Sequence, residues 1–192
     1  MKKTTVLVLD LCYSFNLFAA ISNWGVVGPN IFRGSAPSGP ADFDFLKAQG
    51  VRHVISLEYF RDDPVEECRA AGLDCAQFGI LLPPIYGSDH WFDYNMLQSA
   101  FAHALSVLQK GDGALYFHCY WGSDRTGTLA AALTIRSSAC SGPYDATALV
   151  QKVTNDLQAH NFHVSLYPYL YQTVLSWAQN PPAWICAPAL GD

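Results

Sequence analysis

The run Ala-Leu-Tyr-Phe-His-Cys-Tyr-Trp-Gly-Ser-Asp-Arg-Thr-Gly at residues 114–127 constrains the fold more than any other part of this 192-residue chain. An apolar segment leads into His118 and Cys119, a short loop follows, and residues 128–136 have helical character. This order predicts a buried strand, a tight loop and the N-terminus of a buried helix. Backbone amides in such a loop, together with the helix dipole, form a cradle for a phosphate dianion.

The side chains of this loop predict a reaction as well as a binding site. A cysteine at the start of the loop lies in the positive field of the helix, which favours the nucleophilic thiolate at neutral pH. Arg125 offers a planar fork that can bind two phosphate oxygens, and Thr126 can donate its hydroxyl to the sulfur. The residues between them are predicted to surround the phosphate: Tyr120, Trp121, Gly122, Ser123 and Asp124.

This stretch resembles the Cys-based protein tyrosine and dual-specificity phosphatase superfamily, whose signature is His-Cys-x5-Arg-Thr/Ser. The fixed positions are all present: His118, Cys119, Gly122, Arg125 and Thr126. The Asp-Arg-Thr-Gly ending is most similar to small bacterial and fungal members that act on phosphotyrosine and inositol phosphates. The resemblance implies a phosphatase that forms a cysteinyl-phosphate intermediate and needs no cofactor or metal. A buried, inert cysteine at a strand end is the alternative.

Ester cleavage also needs a proton donor for the leaving oxygen, and a carboxyl group is the usual choice. In the phosphatases that this chain resembles, that residue is an Asp some thirty positions before the cysteine. Asp89 lies 30 residues before Cys119, and the segment around it resembles the acid loop of bacterial cysteine phytases. We therefore predict Asp89 as the acid. Asp93, 26 residues before the cysteine, is the alternative, although it is also placed to cap the following helix.

Other polar residues are assigned supporting or structural roles. His118 is predicted to brace the loop through hydrogen bonds, while Asp124 either orients Arg125 or a water molecule or simply forms a turn. Arg33 could support the substrate, but it is interpreted as an exposed arginine at a strand end. His160 and His163 lie in a polar stretch without a cysteine pair, so no metal site is expected there.

Alternating strand and helix patterns along the chain predict an α/β fold. The expected architecture is a three-layer α/β/α phosphatase-like domain, with a central, mostly parallel sheet and a strand–phosphate loop–helix core. Besides the strand before Cys119, strands are predicted at 26–32, 51–57 and 73–78. Helices are predicted at 41–48, 64–71, 95–108, 145–157 and 168–178. A loop is predicted at 80–94, before the third of these helices, and an irregular tail after Asn180.

The first residues differ from the rest of the chain. Residues 1–22 resemble a secretory leader, with two lysines, an apolar run and small residues near its end. Asp10 interrupts that run, so a first strand at residues 5–9 is the alternative. We expect a phosphatase domain at 23–180 and a tail at 181–192, with export slightly favoured over a cytoplasmic location.

The six cysteines are assigned by where they lie in the chain. Cys12 belongs to the predicted leader and Cys119 to the loop, which leaves four cysteines that can pair in three ways. Cys68–Cys75 and Cys140–Cys186 are the first choice in an oxidising compartment. Four free thiols in a cytosolic protein are the alternative.

Composition narrows the possible substrates and partners. The chain has 11 Lys and Arg against 16 Asp and Glu, a net charge of −5, so neither a nucleic acid nor a stable membrane partner is expected. The loop has two aromatic residues and no lysine, which favours phosphotyrosine or mixed phosphoprotein substrates. Inositol polyphosphate or phosphoinositide hydrolysis is the second reading, and a catalytically weak phosphate-binding module is the third.

Overall fold

The computed structural model describes residues 21–60 and 65–188. Its five strands are β1 (Gly25–Gly28), β2 (Ile31–Ser35), β3 (Val51–Ser56), β4 (Asp74–Gln77) and β5 (Ala114–Cys119). They form a single sheet in the order β1-β2-β5-β3-β4, in which β2, β5, β3 and β4 are parallel and only the edge strand β1 is antiparallel. The mostly parallel sheet predicted from the sequence is therefore confirmed.

Helices cover both faces of this sheet. They are α1 (Pro40–Ala48), α2 (Val65–Ala70), α3 (Tyr94–Lys110), α4 (Asp124–Ala139), α5 (Ala146–Ala159), α6 (Pro168–Gln179) and α7 (Ala183–Cys186). Phe43 and Leu46 of α1 and Cys68 of α2 pack in the core on one face, and the apolar sides of α3 to α7 form a larger core on the other. The three-layer α/β/α architecture is confirmed. Within the described ranges, no helix is both long and apolar enough to cross a membrane.

Strand β5 lies in the centre of the sheet, and all six of its residues are buried. A parallel strand covered by helices on both faces reads as a continuous apolar run, which is why residues 114–119 were recognisable from sequence. Ser35 at the end of β2 lies opposite Cys119, and Ser56 at the end of β3 lies opposite His118. The carboxyl ends of three strands therefore meet where the loop after Cys119 begins, the edge at which ligands bind in open parallel sheets.

The N-terminal part of the sheet differs from the prediction. The single strand predicted at 26–32 is a hairpin of β1 and β2, which turns through Pro29 and Asn30. Asn30 has a φ of 57°, a left-handed conformation that asparagine tolerates better than most residues. The Pro-Asn pair inside the apolar run was the signal for this turn.

The C-terminal segment was predicted to be irregular, but part of it is folded. Residues 183–186 form α7, and the side chain of Ile185 is completely buried. Arg136 of α4 donates hydrogen bonds to the carbonyl oxygens of Ile185 and Ala187, at 2.6 and 2.7 Å. The prediction was wrong here because long-range contacts, rather than local helix propensity, order this Pro-rich segment. The last four residues of the predicted tail lie outside the described residues.

Both expected disulfides are formed. Cys68–Cys75 joins α2 to β4, and Cys140–Cys186 joins the end of α4 to α7. In the described part of the chain, Cys119 is the free cysteine. Cys12 and nearly all of the predicted leader lie outside the described residues, as does Pro64 at the predicted start of α2.

Candidate active site

The loop between β5 and α4 holds four consecutive carbonyl groups on its outer side. Each carbonyl of residues 120–123 accepts a hydrogen bond from a group outside this stretch. The donors are the Ala36 amide to Tyr120 (3.1 Å), the Asn23 side chain to Trp121 (2.7 Å), the Arg33 guanidinium to Gly122 (2.8 Å) and the Gly127 amide to Ser123 (2.7 Å). Because a trans peptide unit is planar, its N–H points opposite to its C=O. The amides of residues 121–124 are therefore directed away from these four donors, which is compatible with a phosphate cradle.

Gly122 lets this loop pack against the end of β2. Its φ is +72°, and a Cβ atom placed there would lie 2.4 Å from the carbonyl carbon of Gly34. Both the left-handed conformation and the close backbone contact exclude a larger residue. The glycine of the motif is therefore a steric requirement of this loop.

Arg33 supports the loop from beneath and is fully buried, so the interpretation as an exposed strand-end arginine was wrong. Its Nη1 lies 2.5 Å from the Asp156 carboxylate of α5, and its Nη2 donates to the Gly122 carbonyl. Burial lowers the pKa of Arg33, whereas the negative charges of Asp156 and Cys119 raise it. Burial raises the pKa of Asp156, but the hydrogen bond from His160 and the charge of Arg33 hold it below its ordinary value.

Replacing Asp156 by asparagine tests this brace. It leaves a buried guanidinium without its counter-charge, and we expect a loss of about 3 kcal/mol of unfolding free energy at neutral pH. A carboxylate whose pKa is depressed by folding stabilises the protein above its unfolded pKa, about 3.9, and that contribution is lost as the pH falls through the folded value. Urea unfolding at several pH values between 7 and 2 should therefore show the two proteins converging at acidic pH.

Asp145 provides the control for this measurement. It caps α5 through an exposed hydrogen bond to the Ala148 amide, so Asp145→Asn should cost at most about 1 kcal/mol. Equal stabilities of the wild type and Asp156→Asn at neutral pH would contradict the assigned brace.

A pocket of about 380 Å³ opens above the loop. The residues that line it are Glu58, Phe60, Leu82, Pro84, Cys119, Tyr120, Trp121, Asp124, Arg125 and Tyr167. Arg125 donates from Nε to the Ile80 carbonyl (2.7 Å) and from Nη2 to the Leu82 carbonyl (3.0 Å). Its Nη1 faces the Glu58 carboxylate at 3.7 Å. Cys119 and Arg125, predicted as nucleophile and clamp, are thus brought to one pocket.

Asp89 and Asp93 do not line this pocket, although the charge of Asp89 contributes to the raised pKa of Tyr167, which does. The Asp89 carboxylate is buried, with 2% of the residue exposed, and accepts a hydrogen bond from the Leu170 amide in the first turn of α6 (2.8 Å). Asp93 caps α3 by accepting from the Met96 amide (2.9 Å), which confirms its interpretation as an N-cap. The structure therefore does not bring Asp89 to the pocket wall, because a helix N-terminus binds its carboxylate instead.

Asp124 is a carboxylate that the structure does place on the pocket wall. It accepts hydrogen bonds from the backbone amide of His163 (2.8 Å) and lies 2.9 Å from the ring Nδ1 of that residue. Tyr167, on the same side, donates its hydroxyl to the Pro83 carbonyl (3.0 Å). Burial and the nearby charge of Asp124 raise the pKa of Tyr167 to about 12, so its phenol stays neutral.

The remaining motif residues lie beneath the pocket. His118 is buried, and its ring stacks on that of Tyr116 with centroids 5.7 Å apart. Thr126 is fully buried in the first turn of α4. The bracing role of His118 stays a prediction. The hydrogen bond predicted from the Thr126 hydroxyl to the Cys119 sulfur is not formed, since this buried hydroxyl has no hydrogen-bond partner in the described part of the chain. In the described ranges, no group of three or more His, Cys, Asp or Glu side chains could hold a metal ion.

Sequence reasoning missed several residues of this site. Glu58 follows β3 directly, and its position at the carboxyl end of a parallel strand was a usable signal. His163 and Tyr167 come from the segment between α5 and α6, and nothing in their local sequence connects them to the loop. Asn23 and Arg33 likewise reach the loop only through the folded sheet.

Comparisons with known proteins agree with this geometry. The profile described as "Tyrosine phosphatase family" matches residues 90–136, which include β5, the loop and most of α4. No curated protein sequence matches the chain. The catalytic core of the PP-IP phosphatase SIW14 from S. cerevisiae superposes with a TM-score of 0.56 at 16% identity, covering 84% of this chain and 87% of that one. TpbA from P. aeruginosa superposes with a TM-score of 0.55 at 16% identity, covering 82% and 89%.

The resemblance to the Cys-based tyrosine and dual-specificity phosphatases is therefore confirmed. The family profile supports it at the loop, and the two solved structures show the same fold over most of the chain.

Proposed function

We propose that this protein hydrolyses phosphomonoesters through a cysteinyl-phosphate intermediate, with protein phosphotyrosine as its main substrate. The observation that carries this proposal is the placement of Cys119 and Arg125 in one pocket, above a loop whose carbonyls are bound by groups outside residues 120–123. A thiolate, an anion cradle and a guanidinium together are the groups needed to transfer a phosphoryl group to sulfur.

The reaction has two displacements at phosphorus. The Cys119 sulfur attacks in line while the loop amides and Arg125 stabilise the charge on the equatorial oxygens. The bond from phosphorus to the leaving oxygen breaks as the bond to sulfur forms. Water then attacks the cysteinyl phosphate, and inorganic phosphate leaves as the thiolate is restored.

The pocket lining supports a monophosphate on an aromatic group. The described lining side chains provide one cation, Arg125, and two carboxylates, Glu58 and Asp124. A polyanionic inositol phosphate would find a single positive partner in this lining, beside the Glu58 carboxylate, which is electrostatically unfavourable. Trp121 and Phe60 are 62% and 53% exposed at the rim and offer aromatic faces to a phenyl ring.

Inositol phosphate or phosphoinositide hydrolysis is the second candidate. It is favoured by the structural likeness to SIW14, a PP-IP phosphatase.

A substrate panel separates the two candidates. Turnover should be compared on a phosphotyrosine peptide, a phosphoserine peptide, inositol hexakisphosphate and vesicles containing a phosphoinositide. We expect kcat/KM to be highest on the phosphotyrosine peptide by at least about tenfold, a difference of about 1.4 kcal/mol in transition-state binding. A preference for either inositol substrate would overturn the proposed substrate class and leave the cysteinyl-phosphate chemistry intact.

Trp121→Ala tests the aromatic rim. Aromatic contacts contribute about 0.5–1.5 kcal/mol, so we expect KM for the phosphotyrosine peptide to rise roughly 3- to 10-fold. Inhibition by inorganic phosphate should not change, because that ligand has no ring. Trp91 is a matched control, since it is also exposed but does not line the pocket. An equal effect of Trp91→Ala would contradict a specific role for Trp121.

A further inference from the structure

We infer that Asp124, positioned by His163, is the residue that transfers the proton in this reaction. The inference rests on the proposed phosphatase function and names the missing acid of that site. The acid must reach the leaving oxygen, so it has to lie on the pocket wall. Within residues 21–60 and 65–188, the carboxylates on that wall are Asp124 and Glu58.

Glu58 has another task. Its Oε1 accepts hydrogen bonds from the amides of Tyr59 and Phe60, each at 3.1 Å, and its Oε2 faces Arg125. Protonation of Glu58 would remove the negative charge opposite the Arg125 guanidinium. That charge holds the guanidinium in place during the reaction. Glu58 therefore serves as the counter-charge of Arg125 rather than as the acid.

Asp124 is held in a fixed orientation on the pocket wall. Its Oδ1 accepts from the His163 amide at 2.8 Å, and its Oδ2 lies 2.9 Å from the His163 ring Nδ1. These two contacts fix the orientation of the carboxyl group. Each carboxyl oxygen has two lone pairs, so one position on the group stays available for the transferred proton. The His163 side chain is about half exposed and connects Asp124 to solvent.

The proton balance follows from these positions. In the first displacement, the Asp124 carboxyl gives its proton to the leaving oxygen as that oxygen departs from phosphorus, which leaves an Asp124 carboxylate, a neutral alcohol or phenol and the cysteinyl phosphate. In the second, the attacking water gives a proton to the Asp124 carboxylate while the phosphorus–sulfur bond breaks. The Cys119 thiolate and the Asp124 carboxyl are then restored.

Three aspartates make a matched test. Asp124, Asp89 and Asp93 each accept a hydrogen bond from a backbone amide, but only Asp124 lines the pocket. We expect Asp124→Asn to lower kcat on a phosphotyrosine peptide by roughly 10²- to 10³-fold, because general acid catalysis has about that effect. On an activated aryl phosphate, whose leaving group needs little protonation, the loss should stay below about tenfold. Asp89→Asn should lower thermal stability, whereas Asp93→Asn should change it little because asparagine caps a helix about as well as aspartate. Both variants should retain this leaving-group dependence.

The pH–rate profile gives a second reading. The titratable and charged groups around Asp124 are His163 and Tyr167 from the α5–α6 segment, Cys119 and Arg125 from the loop, and Glu58 after β3. The basic limb of the profile, where activity falls as pH rises, reports loss of the acid's proton. This limb should therefore flatten in Asp124→Asn and be retained in Asp89→Asn. If Asp124→Asn proves unstable, Asp124→Ser removes the carboxyl group and keeps a residue suited to a helix start.

His163 is tested by rescue. Asparagine places an amide donor near the position of Nδ1, so His163→Asn should keep most of the activity, whereas His163→Ala should lose roughly tenfold in kcat with little change in KM. The inference is overturned if Asp124→Asn matches the wild type on the phosphotyrosine peptide, or if Asp89→Asn alone changes the leaving-group dependence. Either result would leave the proposed function standing, because that function is tested separately at Cys119.

Discussion

Replacing Cys119 by serine is expected to abolish turnover on every phosphomonoester. A serine hydroxyl is a weak nucleophile unless a neighbouring base activates it, and this mechanism relies on an ionised sulfur. Loss of the nucleophile in a covalent mechanism removes several powers of ten in kcat, so we expect a decrease of at least about 10⁴-fold. Release of inorganic phosphate from an activated aryl phosphate is the measurement, and rapid quenching should trap phosphate on the wild-type cysteine alone.

Binding distinguishes loss of chemistry from loss of the site. The substitution leaves the loop amides and Arg125 in place, so Cys119→Ser should bind a non-covalent phosphate analogue such as tungstate within a few-fold of the wild-type affinity. Turnover near the wild-type rate in the serine variant would rule out the covalent mechanism. A wild-type protein that binds phosphate and turns over no substrate would instead identify a phosphate-binding module.

The core of this site could be predicted because its determinants are local. Fourteen consecutive residues, 114–127, contain the apolar strand, the loop that begins with cysteine and the start of the helix, in that order. Gly122 belongs to these local determinants, since its left-handed backbone conformation disfavours other residues. The sheet could be predicted for the same reason, because β5 is a mostly apolar run whose six residues are all buried.

What surrounds the loop could not be predicted because it depends on long-range contacts. Asp89 lies at a suitable distance in sequence, yet the N-terminus of α6, some eighty residues later, binds its carboxylate. From the sequence, Arg33 was interpreted as a surface residue. In the fold it is buried, because Asp156 and the loop carbonyls are partners for its charge. A polar side chain can be buried only where partners exist, and a linear sequence does not show where those partners are.

Arg125→Lys is expected to lower kcat/KM by about 10³-fold. Stabilisation of a transferring phosphoryl group by arginine contributes roughly 10³- to 10⁵-fold, and lysine retains the charge but loses the planar fork. Two of the five N–H groups of Arg125 donate to carbonyls, from Nε to Ile80 and from Nη2 to Leu82. These two contacts hold the guanidinium at the pocket, and the N–H groups that do not bond a carbonyl can donate to a phosphate dianion in the loop. Such charge-assisted hydrogen bonds are about twice as strong as neutral ones.

The carbonyl contacts of Arg125 suggest the control. Arg136 also donates to two backbone carbonyls, those of Ile185 and Ala187, but it lies away from the pocket. Arg136→Lys should therefore lower the thermal midpoint through its lost carbonyl contacts and leave kcat/KM unchanged. Arg125→Lys should lower both, and its loss of phosphate-analogue affinity should exceed its loss of stability. If the two variants lose the same small amount of activity, Arg125 stabilises the 80–82 segment through its carbonyl contacts and does not bind phosphate.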